Sequence, residues 1–394
     1  MLARLRSLDE EGRGWAIAGA VALAVAVALV AAGPGNDLDV ANVFRSGRAI
    51  ARHLSYVPSR PPGSPVHEAI AGVLDLIGGP LLTGLASIAA MGALVVALDR
   101  LLADEGLGPN RRWALAVLVA NPWAFVAATS TADYVFALRL RGRRRPRLRR
   151  DRAVAAGVLF ALAMGSRVGS ITLLLGVAVA ELTDGERAGR RRTLRAGVVA
   201  AAGTALLFVP SVAAAGGLDF ARNDFAASGP FNLLGRALAK DLLLVGLPSA
   251  ILVLATAVPA LLAALRSWST SWLVRFAAVG LVASQGLFVR FPWKMAHLLP
   301  SLLCLVVLLA IALEARPRVL MALVGLQLLF AVVRVDVIAP DDANEASSVR
   351  LRPTIVAGPV VRDWQCRLDH PDAYLGRQIE EVEAAWDCAA PFRD

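Results

Sequence analysis

Blocks of apolar residues separated by short polar punctuation recur from one end of the chain to the other, and their lengths predict membrane-crossing helices. Lone runs lie at Trp15 to Ala32, Pro80 to Leu98, Ala196 to Ala215, Leu242 to Leu265, Leu273 to Val289, Leu298 to Leu313 and Val319 to Val333. Each is near the roughly 20 residues a helix needs to cross the hydrocarbon core, with tilt absorbing the differences. Two further runs, Trp113 to Leu140 and Ala153 to Ala180, are too long for one crossing and too short for two. Arg111 and Arg112 precede the first, a cluster from Arg139 to Arg152 separates the two, and Arg187, Arg190, Arg191, Arg192 and Arg195 follow the second. Because cationic loops stay in the cytoplasm, each run must enter and return, which predicts two hairpins of short half-helices. Their turns fall between Asn121-Pro122 and Asp133, and near Gly165-Ser166-Arg167. Non-helical backbone at membrane depth survives only when buried in protein or lining a wet cavity, so both tips are expected to face a cavity that opens outward.

Composition agrees: 57% of the 394 residues are hydrophobic and mean hydropathy is +0.60, unlike a soluble domain. The fold class is therefore an all-α, multi-pass integral membrane protein. Arg4, Arg6 and Arg13 put the N-terminus in the cytoplasm, and counting crossings puts outside the loops Gly33 to Gly79 and Gly216 to Asp241, the link Arg290 to Lys294, and the tail. The net charge of +10 reads as a topology signal and as contact with anionic membrane lipids, not as a nucleic-acid surface. Trp15 to Ala32 lacks a cleavage site and reads as a signal anchor. Residues 1–335 form the membrane domain and 336–394 a small external tail, in which Tyr374 to Trp386 has the spacing of an amphipathic helix. Cys304 lies in a span as a packing residue; Cys366 and Cys388 in the tail either form a disulfide or remain two thiols.

The loop after the first span carries the candidate chemistry. Asp37 and Asp39 open it, Val40 to Leu54 reads as an interfacial helix with Arg45, Arg48 and Arg52 at the headgroups, and Pro58, Pro61, Pro62 and Pro65 stiffen the segment beyond that helix. A second short helix is predicted over Val66 to Ile77, ending at Gly78-Gly79. The histidines His53, His67, His297 and His370 are scattered, no paired-cysteine motif occurs, and no phosphate-binding glycine loop is present, so neither a metal set nor a nucleotide site is identified.

In the order of these pieces the chain resembles the GT-C superfamily of membrane glycosyltransferases, which includes the protein O-mannosyltransferases and the aminoarabinose transferases. The resemblance rests on an acid just after the first span, an amphipathic helix, Tyr56 near a proline-rich turn, Asn121-Pro122 with Asp133, the Gly165-Ser166-Arg167 turn, and Lys294-Met295-Ala296-His297. It covers about the first 313 residues. The chain departs from the family pattern in having Val40 after Asp39 where an acidic pair is common, and Ser64 in place of a tyrosine in the proline turn. The resemblance implies a GT-C-like helical bundle that moves a sugar, with inversion, from a polyprenyl-phosphate carrier to an acceptor glycan, lipid or protein on the outer face. The lipid-linked sugar would be a substrate; no cofactor is identified, and a divalent metal is neither required nor excluded.

On chemical grounds Asp39, with Asp37 beside it, is the candidate general base, able to take the proton of an attacking hydroxyl. Arg60, Arg167, Arg290, Lys294 and His297 are candidate contacts for the departing phosphate, and Asp133 for the acceptor or a metal. Each has a structural competitor: Asp39 and Asp133 can cap helices, Asp37 and Arg60 can be solvated, Arg290 and Lys294 can reach headgroups, and His297 can be a packing residue. Arg167, within an apolar run, needs a partner or a wet cavity. Two other classes fit the same chain: a transporter or lipid flippase, which also uses broken helices, and a catalytically silent scaffold on a GT-C-like fold.

Overall fold

The computed structural model describes residues 10–60, 62–131, 153–184, 187–217, 230–290, 292, 295–340, 349–377 and 379–389. Asp133 and Lys294 lie outside the described residues, as do the second leg of the first expected hairpin and the middle of the loop from Gly216 to Asp241.

Helix α1 (Glu10–Ala32) is followed by α2 (Leu38–His53), which ends at Leu54 in a left-handed conformation. Helix α3 (Pro65–Asp104) is broken at Gly78 and Gly79, where the backbone leaves helical geometry, so a short helix leads into a span. Both features fall where the sequence puts them. Next come α4 (Arg111–Ala120) and the seven-residue α5 (Pro122–Ala128), joined at Asn121. Helices α6 (Ala153–Ser166) and α7 (Ile171–Leu182) flank an extended Arg167 and a 3₁₀ turn, Val168–Ser170. Helix α6 packs on α8 (Arg187–Ala214), whereas α7 packs on α12 (Trp272–Arg290), so the two legs lie against different helices. The bundle is completed by α9 (Pro230–Val245), α10 (Leu247–Thr256), α11 (Val258–Leu265), α13 (Leu299–Ala312) and α14 (Pro317–Val332). Among the described residues five helices are long and apolar enough to cross a membrane, or six if the bent pair α9 and α10 is one broken span.

Lipid is as apolar as leucine, so association between such helices depends on close packing rather than on burial from water. The outward faces stay greasy, with Ile17, Val198, Leu206 and Val282 all mostly exposed. Inside, small residues let backbones meet. A Cβ on Gly176 would come within 2.5 Å of the Phe276 carbonyl oxygen, and one on Gly280 within 2.7 Å of Cys304 Sγ. Cys304 is buried against Gly280, the packing role its position suggests. Helix α13 is the centre, with Leu302, Leu303, Val306, Val307 and Ala310 all buried.

The single span expected over Leu242 to Leu265 is instead bent by 91° between α9 and α10. Gly246 takes φ +75 at the bend, with the Phe330 ring against it, and Pro248 starts the next helix where no amide is needed. A break at this depth strands the last carbonyls of α9. Side chains from two other helices meet them: Trp123 Nε1 donates to Leu243 O at 2.9 Å, Asn121 Nδ2 to Leu244 O at 2.7 Å, and Gln327 Nε2 to Val245 O at 2.6 Å. The bend is thus built into the packing rather than imposed on it.

Beyond α14 the chain forms an antiparallel pair, β1 (Val333–Pro340) with β2 (Val349–Ala357), then α15 (Pro359–Asp369), a 3₁₀ turn Ala373–Leu375, and α16 (Ile379–Ala389). Cys366 and Cys388 are joined by a disulfide with Cα atoms 5.8 Å apart. Helix α15 packs against α1, α5 and α14, and α16 against α2, so the tail covers the end of the bundle that carries the 33–64 loop.

Candidate functional site at the acid loop

Five residues, 33–37, connect α1 to α2. Gly33 and Gly35 both have positive φ, and Gly35 sits so close to Ser130 that a Cβ would lie 2.7 Å from its Oγ. The Thr131 amide donates to Pro34 O at 3.0 Å, tying the end of α5 to the same loop. Asp37 is the N-cap of α2, its Oδ1 accepting from the Asp39 amide at 2.9 Å. The cap is therefore Asp37, and the carboxylate of Asp39, in the first turn, is left for another partner. That partner is Arg60: its Nη1 donates to Asp39 Oδ2, and Asp39 is 8% exposed.

Helix α2 does not lay its cations uniformly at a headgroup layer. Val40, Val43 and Phe44 are buried, and Gly47 meets Gly72 of α3 backbone to backbone. Arg48, expected at the headgroups, turns instead to Asp75, with Nε 2.6 Å from Oδ2, and stacks over the rings of Phe44 and Tyr374.

The proline-rich turn that carries Arg60 is held from below by a residue the sequence reading missed. Glu68, in the first turn of α3, is 0% exposed, and its Oε1 accepts from the Ser59 amide at 2.8 Å. Among the described residues its Oε2 has no hydrogen-bond partner. Tyr56 closes the turn from the other side: Ser211 Oγ donates to its hydroxyl at 3.2 Å, and Gly63 is so near that a Cβ would collide with the hydroxyl. Burial, and then the Glu68 carboxylate, push the Tyr56 phenol above its ordinary range, with the Ser211 bond pulling weakly the other way. His67 Nε2 donates to Thr131 O at 2.6 Å, and Thr131 Oγ1 is 3.1 Å from Thr83 Oγ1. The result is one polar layer in which the acid loop, the proline turn, the start of α3 and the end of α5 share hydrogen bonds.

Asp37, Asp39 and Arg60 are thus brought together directly. The end of α6, two residues before Arg167, comes to the start of α3: a Cβ on Gly165 would lie 2.6 Å from Val66 Cγ2, next in sequence to His67 and Glu68. On the other side of Arg167, Gly169 faces Leu287 of α12. Arg290 is the exposed last residue of α12, and His297 is half-buried in the 3₁₀ turn Met295–Leu298. That turn packs on α5 and α9. Since a seven-residue helix is only about 10 Å long, α5 links the turn at its side to the acid loop at its end.

Lys240 on α9 also escaped the sequence reading; it is 5% exposed, next to Asp241, whose Oδ1 accepts from Gln285 Nε2 at 2.7 Å. A signal for it was present. Lys240 and Lys294 are the two lysines in a chain whose other cations are arginines. Glu68 had a weaker one, as one of two acids, with Asp75, on the otherwise largely apolar stretch that enters the span. Among the described residues no group of three or more His, Cys, Asp or Glu side chains is placed to hold a metal.

Comparison with known proteins gives a fold and little else. No protein-family model matches the chain, and no curated protein matches it in sequence. The crystal structure of ArnT from Cupriavidus metallidurans bound to undecaprenyl phosphate superposes on it with a TM-score of 0.56 at 18% identity, covering 96% of this chain and 76% of that one. The chain is accordingly a helical membrane protein with a GT-C-like fold, resembling that of ArnT.

Proposed function

We propose that the protein is a membrane glycosyltransferase of the GT-C type that transfers a sugar from a polyprenyl-phosphate carrier to an acceptor hydroxyl on the outer face of the membrane. The observation that carries this reading is the pair of buried Asp39 and half-buried Arg60, set at one end of a bundle whose fold resembles a protein crystallised with undecaprenyl phosphate.

The chemistry rests on what the pair can do. The acceptor oxygen attacks the anomeric carbon from the face opposite the phosphate, and the bond between that carbon and the phosphate oxygen breaks with its electrons passing to the phosphate. Asp39 takes the acceptor proton, and the products are the inverted glycoside and the free polyprenyl phosphate. Arg60 has two jobs in sequence. Before the donor arrives it compensates the buried carboxylate, since an unpaired charge at 8% exposure is costly. When the carrier phosphate arrives, the guanidinium can share its donors with it, and negative charge growing on the leaving oxygen is stabilised. As Arg60 turns to phosphate, the Asp39 carboxylate is released to accept from the acceptor hydroxyl. Arg167, Arg290, Lys294 and His297 are the further cations and donors available to a phosphate; Asp133 remains a candidate for the acceptor.

The test is to reconstitute the purified protein with a panel of polyprenyl-phosphate sugars and follow release of the free lipid phosphate. The reading expects release with at least one donor and a glycoside of inverted configuration. Release with retained configuration, or movement of the lipid between leaflets without release, overturns it.

A further inference from the structure

The C-terminal tail holds the acid loop at both ends, and most of the grip comes through one arginine. Arg367 on α15 is 1% exposed, yet it lies where no charge would sit without recompense. Its Nη1 donates to Leu29 O at 3.2 Å, Gly33 O at 2.7 Å and Thr129 O at 3.0 Å, and its Nη2 to Thr129 Oγ1 at 3.2 Å. Leu29 and Gly33 belong to the C-terminal end of α1, and Thr129 is the C-cap of α5. The guanidinium therefore fills the point where two helix C-termini converge, each with open carbonyls and the negative end of its dipole. Asp363, one turn earlier, accepts from Arg367 Nε at 2.8 Å and fixes the fork.

The same helix reaches the other end of the loop. Asn36 Nδ2 donates to the Asp363 carbonyl at 3.1 Å and to its Oδ1 at 3.4 Å. Gly33 and Asn36 are the first and fourth of the five linking residues, and Asp37, the fifth, caps the helix that presents Asp39. Cys366, adjacent to Arg367, is bonded to Cys388 on α16, and Val382 and Ala385 of α16 are buried. The tail is thereby fastened to the side of α2 as well as to the loop before it.

We infer that Arg367 is a positioning residue for Asp39: it locks residues 33–36 to the tail so that the carboxylate meets Arg60 and, on the proposed transferase reading, the acceptor hydroxyl in one fixed place. It touches neither substrate nor the reacting atoms. Lysine keeps the charge but cannot reproduce a fork shared among three carbonyls, so Arg367→Lys is expected to recover the function only in part.

The test uses the full chain in lipid nanodiscs, comparing the parent with Arg367→Met, Arg367→Lys and Asn36→Ala. Amide hydrogen exchange in the segment 33–40 reads the positioning itself and needs no activity. Expected is exchange about ten-fold or more faster in Arg367→Met, with α12 and α13 unchanged, and an intermediate rate in Arg367→Lys. Transfer from a polyprenyl-phosphate sugar should show kcat lowered about ten-fold or more with the donor KM nearly constant, because orientation rather than binding is lost. Unchanged exchange at 33–40, or a rise in KM with kcat intact, overturns the inference. If Arg367→Met does not fold, Asn36→Ala, which cuts the other grip, decides by the same two readouts. If the parent transfers no sugar, the transferase reading has failed, and the exchange experiment alone judges whether Arg367 positions the loop.

Discussion

Replacing Asn121 by leucine tests how the bundle tolerates a broken helix at membrane depth. The side chain is 0% exposed and makes four hydrogen bonds. Its Oδ1 accepts from the amides of Trp123 and Ala124, both at 3.1 Å, and its Nδ2 donates to Leu244 O at 2.7 Å and Gln327 Oε1 at 2.9 Å. Loss of the cap costs about 1 kcal/mol. Two buried acceptors then lose their donor, and each costs about 1–3 kcal/mol in a water-free interior. Hydrogen bonds between membrane helices average only about 0.6 kcal/mol in double-mutant cycles, which argues for the low end of that range. The sum is about 3 kcal/mol. At roughly 2 °C per kcal/mol for a chain of this size or somewhat smaller, thermal unfolding in a single detergent should begin about 6 °C lower. The donor KM should stay near that of the parent, because the amide serves the bend at Gly246 and not the site. A midpoint within about 1 °C of the parent refutes the reasoning, since the carbonyls of α9 would then be satisfied some other way.

Two further outcomes are expected from the polar layer. Glu68→Ala removes the acceptor of the Ser59 amide and loosens the turn that carries Arg60, so kcat for transfer should fall about ten-fold; equal kcat in parent and variant would show that the turn holds Arg60 without it. Tyr56 binds its proton more tightly in the folded state than in the unfolded chain, where the phenol titrates near 10. Above that pH the unfolded state sheds the proton first, so the parent loses stability as pH rises from about 10 towards the folded value. Tyr56→Phe should flatten the fall in midpoint between about pH 9.5 and 11, and an identical slope in the two proteins would contradict the assignment.

Much of the membrane scaffold can be read in the chain, because lipid tolerates few alternatives to an apolar helix. Gly78-Gly79 between two apolar stretches, and Gly165-Ser166-Arg167 within one, mark breaks that the structure contains. The bend at Gly246 was equally punctuated, by Gly246-Leu247-Pro248, yet it sits inside a run whose summed length suits one crossing. The strands of the tail also left a trace. Val333, Val335 and Val337 alternate with Arg334 and Asp336, a period of two that is masked by the apolar span directly before it.

The site was legible only as a set of residue types. Asp37 and Asp39 are two residues apart, and nothing in the sequence says which caps the helix; the direction of the first turn decides it. Glu68 and Arg367 could not have been placed, because their partners are backbone groups brought in by folding: the amide of Ser59, and carbonyls 338 and 334 residues distant at Leu29 and Gly33. Buried charges of this kind are assigned by the carbonyls and amides that converge on them, and convergence is a property of the assembled bundle.

The central claim is that Asp39 removes the acceptor proton, and single-turnover sugar transfer by Asp39→Asn in nanodiscs tests it most directly. Asparagine keeps the shape and can still accept from Arg60, so the fold and donor binding should survive. The account predicts transfer slowed by about 10²- to 10⁴-fold, the usual contribution of a positioned base. Transfer at the parental rate by a variant that binds donor equally well would contradict it.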